Sequence, residues 1–120
     1  MLKQLIPSLK RLHDHGFAHS DIKLSNICAR KGHDGSFKFM LIDLGNSTKL
    51  VRLGESYDSK AFRGNLMYAS PDHIERKRAS HLDDLYSLLC VAFWFMIGSL
   101  PWFDYIEELH EKKKSSNFYI

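Results

Sequence analysis

The chain has 120 residues, of which 44% are hydrophobic and 26% charged, and its formal net charge at pH 7 is +3. This composition is typical of one soluble globular domain and excludes a disordered chain. The charge is too small to predict nucleic-acid binding, and the short basic clusters at 76–78 and 112–114 are typical of solvated helix faces. The longest apolar stretch, residues 85–97, is shorter than the ~20 residues that span a bilayer. We therefore expect neither a nucleic-acid nor a membrane partner.

The cysteines and the start of the chain indicate the compartment. Cys28 and Cys90 lie among apolar neighbours without paired spacing, which predicts buried free thiols in a reducing environment. The first residues show neither a charged segment leading into a long apolar stretch nor a small-residue cleavage site, so we expect no secretory signal. The predicted location is intracellular, either cytoplasmic or nuclear.

The first third of the chain predicts a helix and then a β-hairpin. Apolar residues recur at helical spacing over residues 2–12, and Gly16 ends the pattern because glycine accepts the left-handed conformation of a helix end. Residues 27–29 and 37–42 are apolar and partly β-branched or aromatic, with turn residues between them. They predict a hairpin whose second strand ends at Asp43.

The rest of the chain predicts a long loop and then helices. Residues 46–70 are irregular, which is typical of a functional loop. Pro71 opens a short helix, and Ser80 is an N-cap candidate for the apolar helix that follows, which we expect to be fully buried over residues 85–97. Residues 106–113 predict another helix, acidic at its start and basic at its end. Nothing indicates an internal repeat or a second domain.

Four polar residues lie where they could carry chemistry. Asp21, Lys23 and Asn26 fall within six positions, and the hairpin can bring Asp43 back close to Asn26. The oxygens of Asn26 and Asp43 are ligands that suit Mg²⁺. Asp21 would then be free as a base and Lys23 as a positive charge. These are the parts that phosphoryl transfer requires.

A metal site made of His19 and Asp21 is a competing interpretation, but it leaves Asn26 and Asp43 unexplained. Taken singly, an Asp-x-Lys motif is usually a surface pair and an Asp-Leu-Gly motif is usually a turn. Their order, with a hairpin between them and an apolar helix after them, favours a functional site.

The stretch HSDIKLSN, residues 19–26, followed by DLG, residues 43–45, resembles the catalytic loop H-R-D-L-x-x-x-N and the metal loop D-F-G of protein kinases. The resemblance implies that Asp21 accepts the proton of the substrate hydroxyl and that Lys23 neutralises the transferred phosphate of ATP. It also implies that Asn26 and Asp43 bind Mg²⁺ and, through it, ATP.

The second half of the chain resembles kinases in the same order. Residues 64–70 are similar to the end of the activation segment in the casein kinase 1 group, and residues 98–102 are similar to casein kinase 1 and tau-tubulin kinases. Residues 83–88 resemble the start of the central helix, where Asp84 would cap the backbone of the catalytic loop. The structural supports implied by the resemblance are His19, which packs beneath the metal loop, and Gly45, Gly64 and Asp84.

Four residues depart from the family pattern: Ser20, Leu44, Asn65 and Leu89. Ser20 replaces an arginine that pairs with a phosphorylated activation loop, which argues against that mode of regulation. Asn65 replaces a threonine that hydrogen-bonds the catalytic aspartate and lysine. The sequence also contains no Gly-rich phosphate loop and no strand lysine of the Val-Ala-Ile-Lys type.

We therefore expect residues 1–120 to be a partial protein kinase domain of α+β class. The prediction is a mainly helical, truncated C-terminal lobe with small β-hairpins around the catalytic and metal loops, without the N-terminal lobe and the last helices. The predicted function is transfer of the ATP γ-phosphate to serine or threonine hydroxyls of protein substrates, with little or no turnover by the chain alone. The alternative is a non-catalytic kinase-like interaction or regulatory module. No oligomeric state is predicted.

Overall fold

The structure is a computed structural model that describes residues 1–50, 62–76 and 78–116. About half of these residues are helical, and the strands form two small antiparallel pairs. The predicted α+β class with small hairpins is confirmed, although the helical share is smaller than predicted. The helices are α1 (Leu2–Asp14), α2 (Pro71–Arg76), α3 (His81–Ile97) and α4 (Phe103–Ser116), and the strands are β1 (Phe17–Ala18), β2 (Ile27–Lys31), β3 (Phe37–Leu41) and β4 (Thr48–Lys49).

Helix α1 presents one apolar side to the protein interior. Leu5 and Leu9, one turn apart, are buried, whereas Ile6 is half exposed. The helix ends where the sequence predicts: Gly16 has a φ of +83°, and its amide donates to the His13 carbonyl oxygen at 2.9 Å. Helix α1 thus forms one wall of the core and leads the chain into β1.

Strands β2 and β3 form the predicted hairpin, with Ile27 opposite Leu41 at its open end. The amide of Ile42 donates to the carbonyl oxygen of Asn26 at 2.9 Å, which extends the pairing by one residue. The Gln4 side chain of α1 hydrogen-bonds the backbone of β3 twice and holds the hairpin against the helix. The hairpin therefore brings the residues that precede β2 next to those that follow β3.

A second strand pair was not predicted. Strand β4 lies antiparallel to β1, with Thr48 opposite Ala18, and the Leu50 amide donates to the Gly16 carbonyl oxygen at 2.8 Å. Two-residue strands are too short to show an alternating pattern, so the sequence carries no signal for them. Residues 51–61 of the predicted long loop lie outside the described residues.

Helix α3 begins as predicted but is not fully buried. Ser80 and Asp83 form a capping box, in which each side chain accepts from the backbone amide of the other. One face is buried, including Leu88 and Val91, but the opposite face is exposed. The expectation of full burial is therefore wrong. The exposed apolar residues of this helix are Leu82, Leu89, Phe93, Phe95, Met96 and Ile97.

The two cysteines differ in exposure. Cys90 of α3 is buried, and this burial raises the pKa of its thiol. Cys28 is exposed, so the prediction that both thiols are buried is wrong for Cys28. The reason is strand alternation: Ile27 packs against the core, and the next side chain of β2 points away from it. No helix within the described ranges is long and apolar enough to cross a membrane.

The core lies between α1, α3 and the loop that joins β1 to β2. It contains residues far apart in the sequence, so neither helix can bury its apolar face alone. Its buried members are Leu5, Leu9, Ile22, Met67, Tyr68, Leu88, Cys90, Val91 and Leu100. The polar residues of the 19–26 segment rest directly on this apolar layer.

Replacing Leu88 with alanine should destabilise the protein, because Leu88 is 1% exposed and its neighbours cannot fill the cavity. We expect the free energy of unfolding to fall by ~2–5 kcal/mol. Leu89→Ala is the matched control: it removes the same atoms from the next residue, which is 63% exposed, and should change stability by less than ~0.5 kcal/mol. Urea denaturation followed by circular dichroism measures both. Equal losses would contradict the one-sided burial of α3.

Candidate active site

Asp84, near the start of α3, is the buried acceptor on which the 19–26 loop is built. Its Oδ2 accepts from the His19 amide at 2.8 Å, and its Oδ1 accepts from the Ser20 amide at 2.9 Å. The His13 ring adds a third contact, with Nε2 2.8 Å from Oδ2. Asp84 is only 1% exposed, and a carboxylate in that position requires several donors to offset its desolvation. The contacts join α1, α3 and the loop.

Ser20 takes a backbone conformation that few residues other than glycine adopt. Its φ is +70°, in the left-handed region, which costs about 1–3 kcal/mol unless the surroundings impose it. The bond from its amide to Asp84 holds the backbone, and its hydroxyl lies 3.0 Å from the Thr48 hydroxyl. Where the family has an arginine, this chain thus has a neutral contact to β4.

His19 links the 19–26 loop to the end of the hairpin. Its ring is buried, with Nε2 3.0 Å from the Ile42 carbonyl oxygen, and Nδ1 accepts from the Asp21 amide at 3.3 Å. Because a carbonyl oxygen can only accept, Nε2 carries the hydrogen and Nδ1 the lone pair. Both ring nitrogens are engaged, which leaves none to bind a metal with Asp21. No group of three or more His, Cys, Asp or Glu that could hold a metal occurs among the described residues.

The two carboxylate oxygens of Asp21 have different surroundings. Its side chain is 7% exposed. Oδ2 accepts from the amide nitrogens of Asn26 and Asn46, each at 3.2 Å, and lies 3.6 Å from Lys23 Nζ. Oδ1 is buried and has no hydrogen-bond partner in the described part of the chain. A buried acceptor without a donor is uncommon and needs an explanation. Oδ1 is therefore the oxygen positioned to accept from a bound molecule.

Asn26 and Asp43 lie on neighbouring ends of the hairpin, each in a constrained geometry. The buried Asn26 uses its Nδ2 on the carbonyl oxygen of Asp21 at 2.8 Å as well as on the carboxylate. Its Oδ1 therefore points away from Asp21, as a free acceptor or ligand would. Asp43 has a φ of +62°, and its Oδ1 accepts from the Gly45 amide at 3.0 Å. This bond closes the turn and leaves Oδ2 as a second oxygen.

Gly64 packs directly on the 19–26 loop. Its φ is +141°, and a Cβ built on it would lie 2.7 Å from the Ser20 carbonyl oxygen and 3.1 Å from the His73 ring. Both the backbone conformation and the space therefore require glycine. Asn65, which stands where the family has a threonine that bonds the catalytic residues, accepts from the Met67 amide at 2.9 Å and caps its own turn.

The turn that follows Gly64 is held by α3 and by the start of α4. Trp102 Nε1 donates to the Met67 carbonyl oxygen at 2.7 Å, and the Ser87 hydroxyl donates to the Tyr68 carbonyl oxygen at 2.7 Å. Burial raises the pKa of the Tyr68 hydroxyl, so this group stays neutral at ordinary pH. The turn is thus fixed by neutral contacts.

Sequence reasoning missed three residues that contact the candidate site: His13, Asn46 and Thr48. Asn46 follows Gly45 directly, so its place beside the metal-loop motif was a signal that could have been used. Nothing in the sequence marks His13 or Thr48, because their partners are 71 and 28 positions away. Such contacts depend on how α1 and β4 pack.

Replacing Asp84 with asparagine should loosen the 19–26 loop, because an amide NH₂ would face a backbone NH or the His13 ring. A buried group left unsatisfied costs about 1–3 kcal/mol, so we expect the free energy of unfolding to fall by at least that amount. The control is Asp72→Asn, the same change at an exposed position of α2. Hydrogen exchange of the His19 and Ser20 amides measures the local effect. Unchanged protection would contradict the role assigned to Asp84.

Comparison with known proteins supports the resemblance. A family model for the protein kinase domain matches residues 1–119. A Caenorhabditis elegans protein named as a casein kinase I is 31% identical over 90% of the chain, and the rice protein casein kinase 1-like protein HD16 is 35% identical over 85%. A Dictyostelium discoideum protein named as a serine/threonine-protein kinase is 34% identical over 82%.

The chain spans 33%, 15% and 21% of the lengths of these three relatives, respectively. The predicted resemblance to protein kinases, and to casein kinase 1-like proteins among them, is confirmed. The chain belongs to the protein kinase domain family.

Proposed function

We propose that these residues serve a protein serine/threonine kinase, which transfers the γ-phosphate of ATP to serine or threonine hydroxyls of protein substrates. The observation that carries the proposal is the buried Oδ1 of Asp21, which has no partner among the described residues and belongs to a carboxylate that contacts Lys23, Asn26 and Asn46. A buried acceptor next to a positive charge and two oxygen ligands suits a site where a hydroxyl attacks a phosphate.

Asp21 and Lys23 each have a defined role in the proposed phosphate transfer. Asp21 Oδ1 orients the substrate hydroxyl and accepts its proton as the hydroxyl oxygen bonds to the γ-phosphorus and the bond to the β–γ bridging oxygen breaks. Lys23 Nζ stabilises the charge on the phosphate in transit. The Lys23 side chain is 29% exposed, so its ammonium group is accessible to a phosphate bound at the surface of the 19–26 loop. ADP leaves with the bridging oxygen.

Asn26 and Asp43 suit Mg²⁺ in the chemistry of their free atoms. The nitrogen of Asn26 is held by Asp21 and one oxygen of Asp43 by Gly45, which leaves an amide oxygen and a carboxylate oxygen as ligands. Mg²⁺ is usually bound by one or two protein groups together with water and substrate phosphates, so two protein oxygens are sufficient. When bound, Mg²⁺ would neutralise charge on the phosphate oxygens of ATP.

We assign residues 1–120 to the C-terminal lobe of a kinase domain, as a partial domain. The support is the order of the described elements: a helix, the 19–26 loop, a hairpin, the turn after Gly64 and the capped helix α3. The sequence contains no Gly-rich loop or strand lysine to clamp the nucleotide, so we expect the 120 residues alone to have little or no turnover. Because ATP is the phosphate donor and Cys28 is an exposed thiol, an intracellular compartment belongs to the proposal.

A non-catalytic interaction module is the second candidate, and the exposed apolar face of α3 favours it. The retention of Asp21, Lys23, Asn26 and Asp43 together disfavours it, since an interaction module needs none of the four. Nucleotide binding and turnover distinguish the two candidates.

ATP with Mg²⁺ should stabilise the chain against heat. Binding at ten times the Kd adds ~1.4 kcal/mol to the free energy of unfolding, which raises the Tm measurably. ATP without Mg²⁺, or the Asp43→Ala variant with both, should give little or no rise. Asp14→Ala, at an exposed residue of α1, is the control and should respond as the original chain does. If Mg²⁺ adds nothing to the effect of ATP on the original chain, unaided nucleotide binding by these residues is excluded.

Turnover is the second test. Radiolabelled ATP with Mg²⁺ and a generic protein substrate should show little or no phosphate transfer by the 120 residues, because nothing in them clamps the nucleotide. Substantial transfer that Asp21→Ala abolishes would overturn this expectation while supporting the role of Asp21. Transfer that survives Asp21→Ala would instead contradict that role.

A further inference from the structure

Among the described residues, Asn46 is the one outside the 19–26 loop that hydrogen-bonds the carboxylate of Asp21. Its Nδ2 donates to Asp21 Oδ2 at 3.2 Å across 25 positions of sequence. Asn46 is partly buried and follows the turn of Asp43 and Gly45 directly. Asn46 therefore connects the 19–26 loop, which holds the proposed proton acceptor Asp21, to the turn that holds the proposed metal ligand Asp43.

The two donors to Asp21 Oδ2 make the two oxygens of the carboxylate inequivalent. Asn26 donates from within the loop and Asn46 from outside it, both at 3.2 Å. With Oδ2 engaged, the carboxylate cannot rotate without losing both bonds, so Oδ1 stays in its buried position without a partner in the described residues. The two hydrogen bonds to Oδ2 therefore leave Oδ1 as the oxygen that would accept from the substrate hydroxyl.

The position of Asn46 depends on the turn that contains Asp43. Asp43 has a left-handed φ of +62°, and its Oδ1 bonds the Gly45 amide at 3.0 Å. Asn46 is the next residue, and Thr48 two positions later is held by the Ser20 hydroxyl at 3.0 Å. Because Asn46 directly follows this turn, a shift of the turn acts on the backbone from which the Asn46 side chain reaches Asp21.

We propose that Asn46 is a positioning residue that couples the Asp43 turn to the proton-accepting carboxylate of Asp21. Binding of Mg²⁺ and nucleotide at Asp43 then changes the orientation of the Asp21 carboxylate through Asn46, and a turn displaced far enough to break the Asn46 bond leaves Asp21 held by Asn26 and Lys23. The effect of this coupling on phosphate transfer rests on the proposed function, whereas the contact between Asn46 and Asp21 is part of the structure.

The test compares variants of the 120-residue chain by carbon-13 NMR of side-chain carboxyls, with Asp21 and Asp43 assigned from Asp→Asn variants. Asn46→Leu keeps the approximate shape of the side chain and removes the donor. Ser36→Ala is the control, since it removes an exposed side-chain hydrogen bond to Asp34 in the turn between β2 and β3, which does not involve Asp21. Circular dichroism checks that both variants keep their helices.

Without ligand, we expect Asn46→Leu to shift the Asp21 carboxyl resonance and the Asn26 side-chain amide resonance, and Ser36→Ala to leave both nearly in place. With Mg²⁺ and ADP, the Asp43 resonance should respond in both variants, while Asn46→Leu should abolish the response of Asp21. An Asp21 resonance that Asn46→Leu leaves unmoved without ligand, or that still follows Asp43 in this variant, would overturn the coupling.

Failure of the proposed function gives a different result. If neither Asp43 nor Asp21 in the original chain responds to Mg²⁺ and nucleotide, then nucleotide binding by these residues fails. The Asp21 resonance of the ligand-free Asn46→Leu variant then tests the Asn46–Asp21 contact by itself. A shift of this resonance supports the positioning role of Asn46, and an unchanged resonance overturns that role.

Discussion

The burial of Asp84 beneath the 19–26 loop is the constraint on which the rest of the site depends. One carboxylate accepts from two consecutive backbone amides and contacts the His13 ring, so α1, α3 and the loop converge on it. A charge held this far from water persists only when its donors are in place. The same bonds hold Ser20 in a left-handed conformation, which directs the chain toward Asp21.

Further polar contacts connect the loop held by Asp84 to the residues of the candidate active site. His19 connects the loop to the carbonyl oxygen before Asp43, and Asn26 turns its nitrogen inward to Asp21. In Asp21, Asn26 and Asp43, these contacts occupy one polar atom of each side chain, and the proposed function uses the other oxygen. The apolar core beneath, including Leu9 and Leu88, supplies rigidity without contributing any of these groups. The residues that pack the core and the residues of the candidate site are therefore different sets, and a few helices and strands suffice to position the site.

Local features were predicted well because their causes are local. The end of α1 at Gly16, the capping box of Ser80 and the hairpin up to Asp43 each depend on residues within a few positions of one another. The exposure of α3 was predicted wrongly, since an apolar helix shows no preferred face and only its neighbours decide which side is covered. The error at Cys28 has the same origin, because the register of β2 decides which of its side chains face the core.

The sequence by itself determined the family, the order of the helices and of the β2–β3 hairpin, and the candidates Asp21, Lys23, Asn26 and Asp43. Motif order and spacing can be read without knowledge of packing. Tertiary structure decided which oxygen of Asp21 lacks a partner among the described residues, because one of the two donors to the other oxygen is Asn46, 25 positions away along the chain. Hydrogen bonds between distant segments have no periodicity and no fixed spacing, so they leave no pattern to read. They exist only once α1, the hairpin and α3 have packed together.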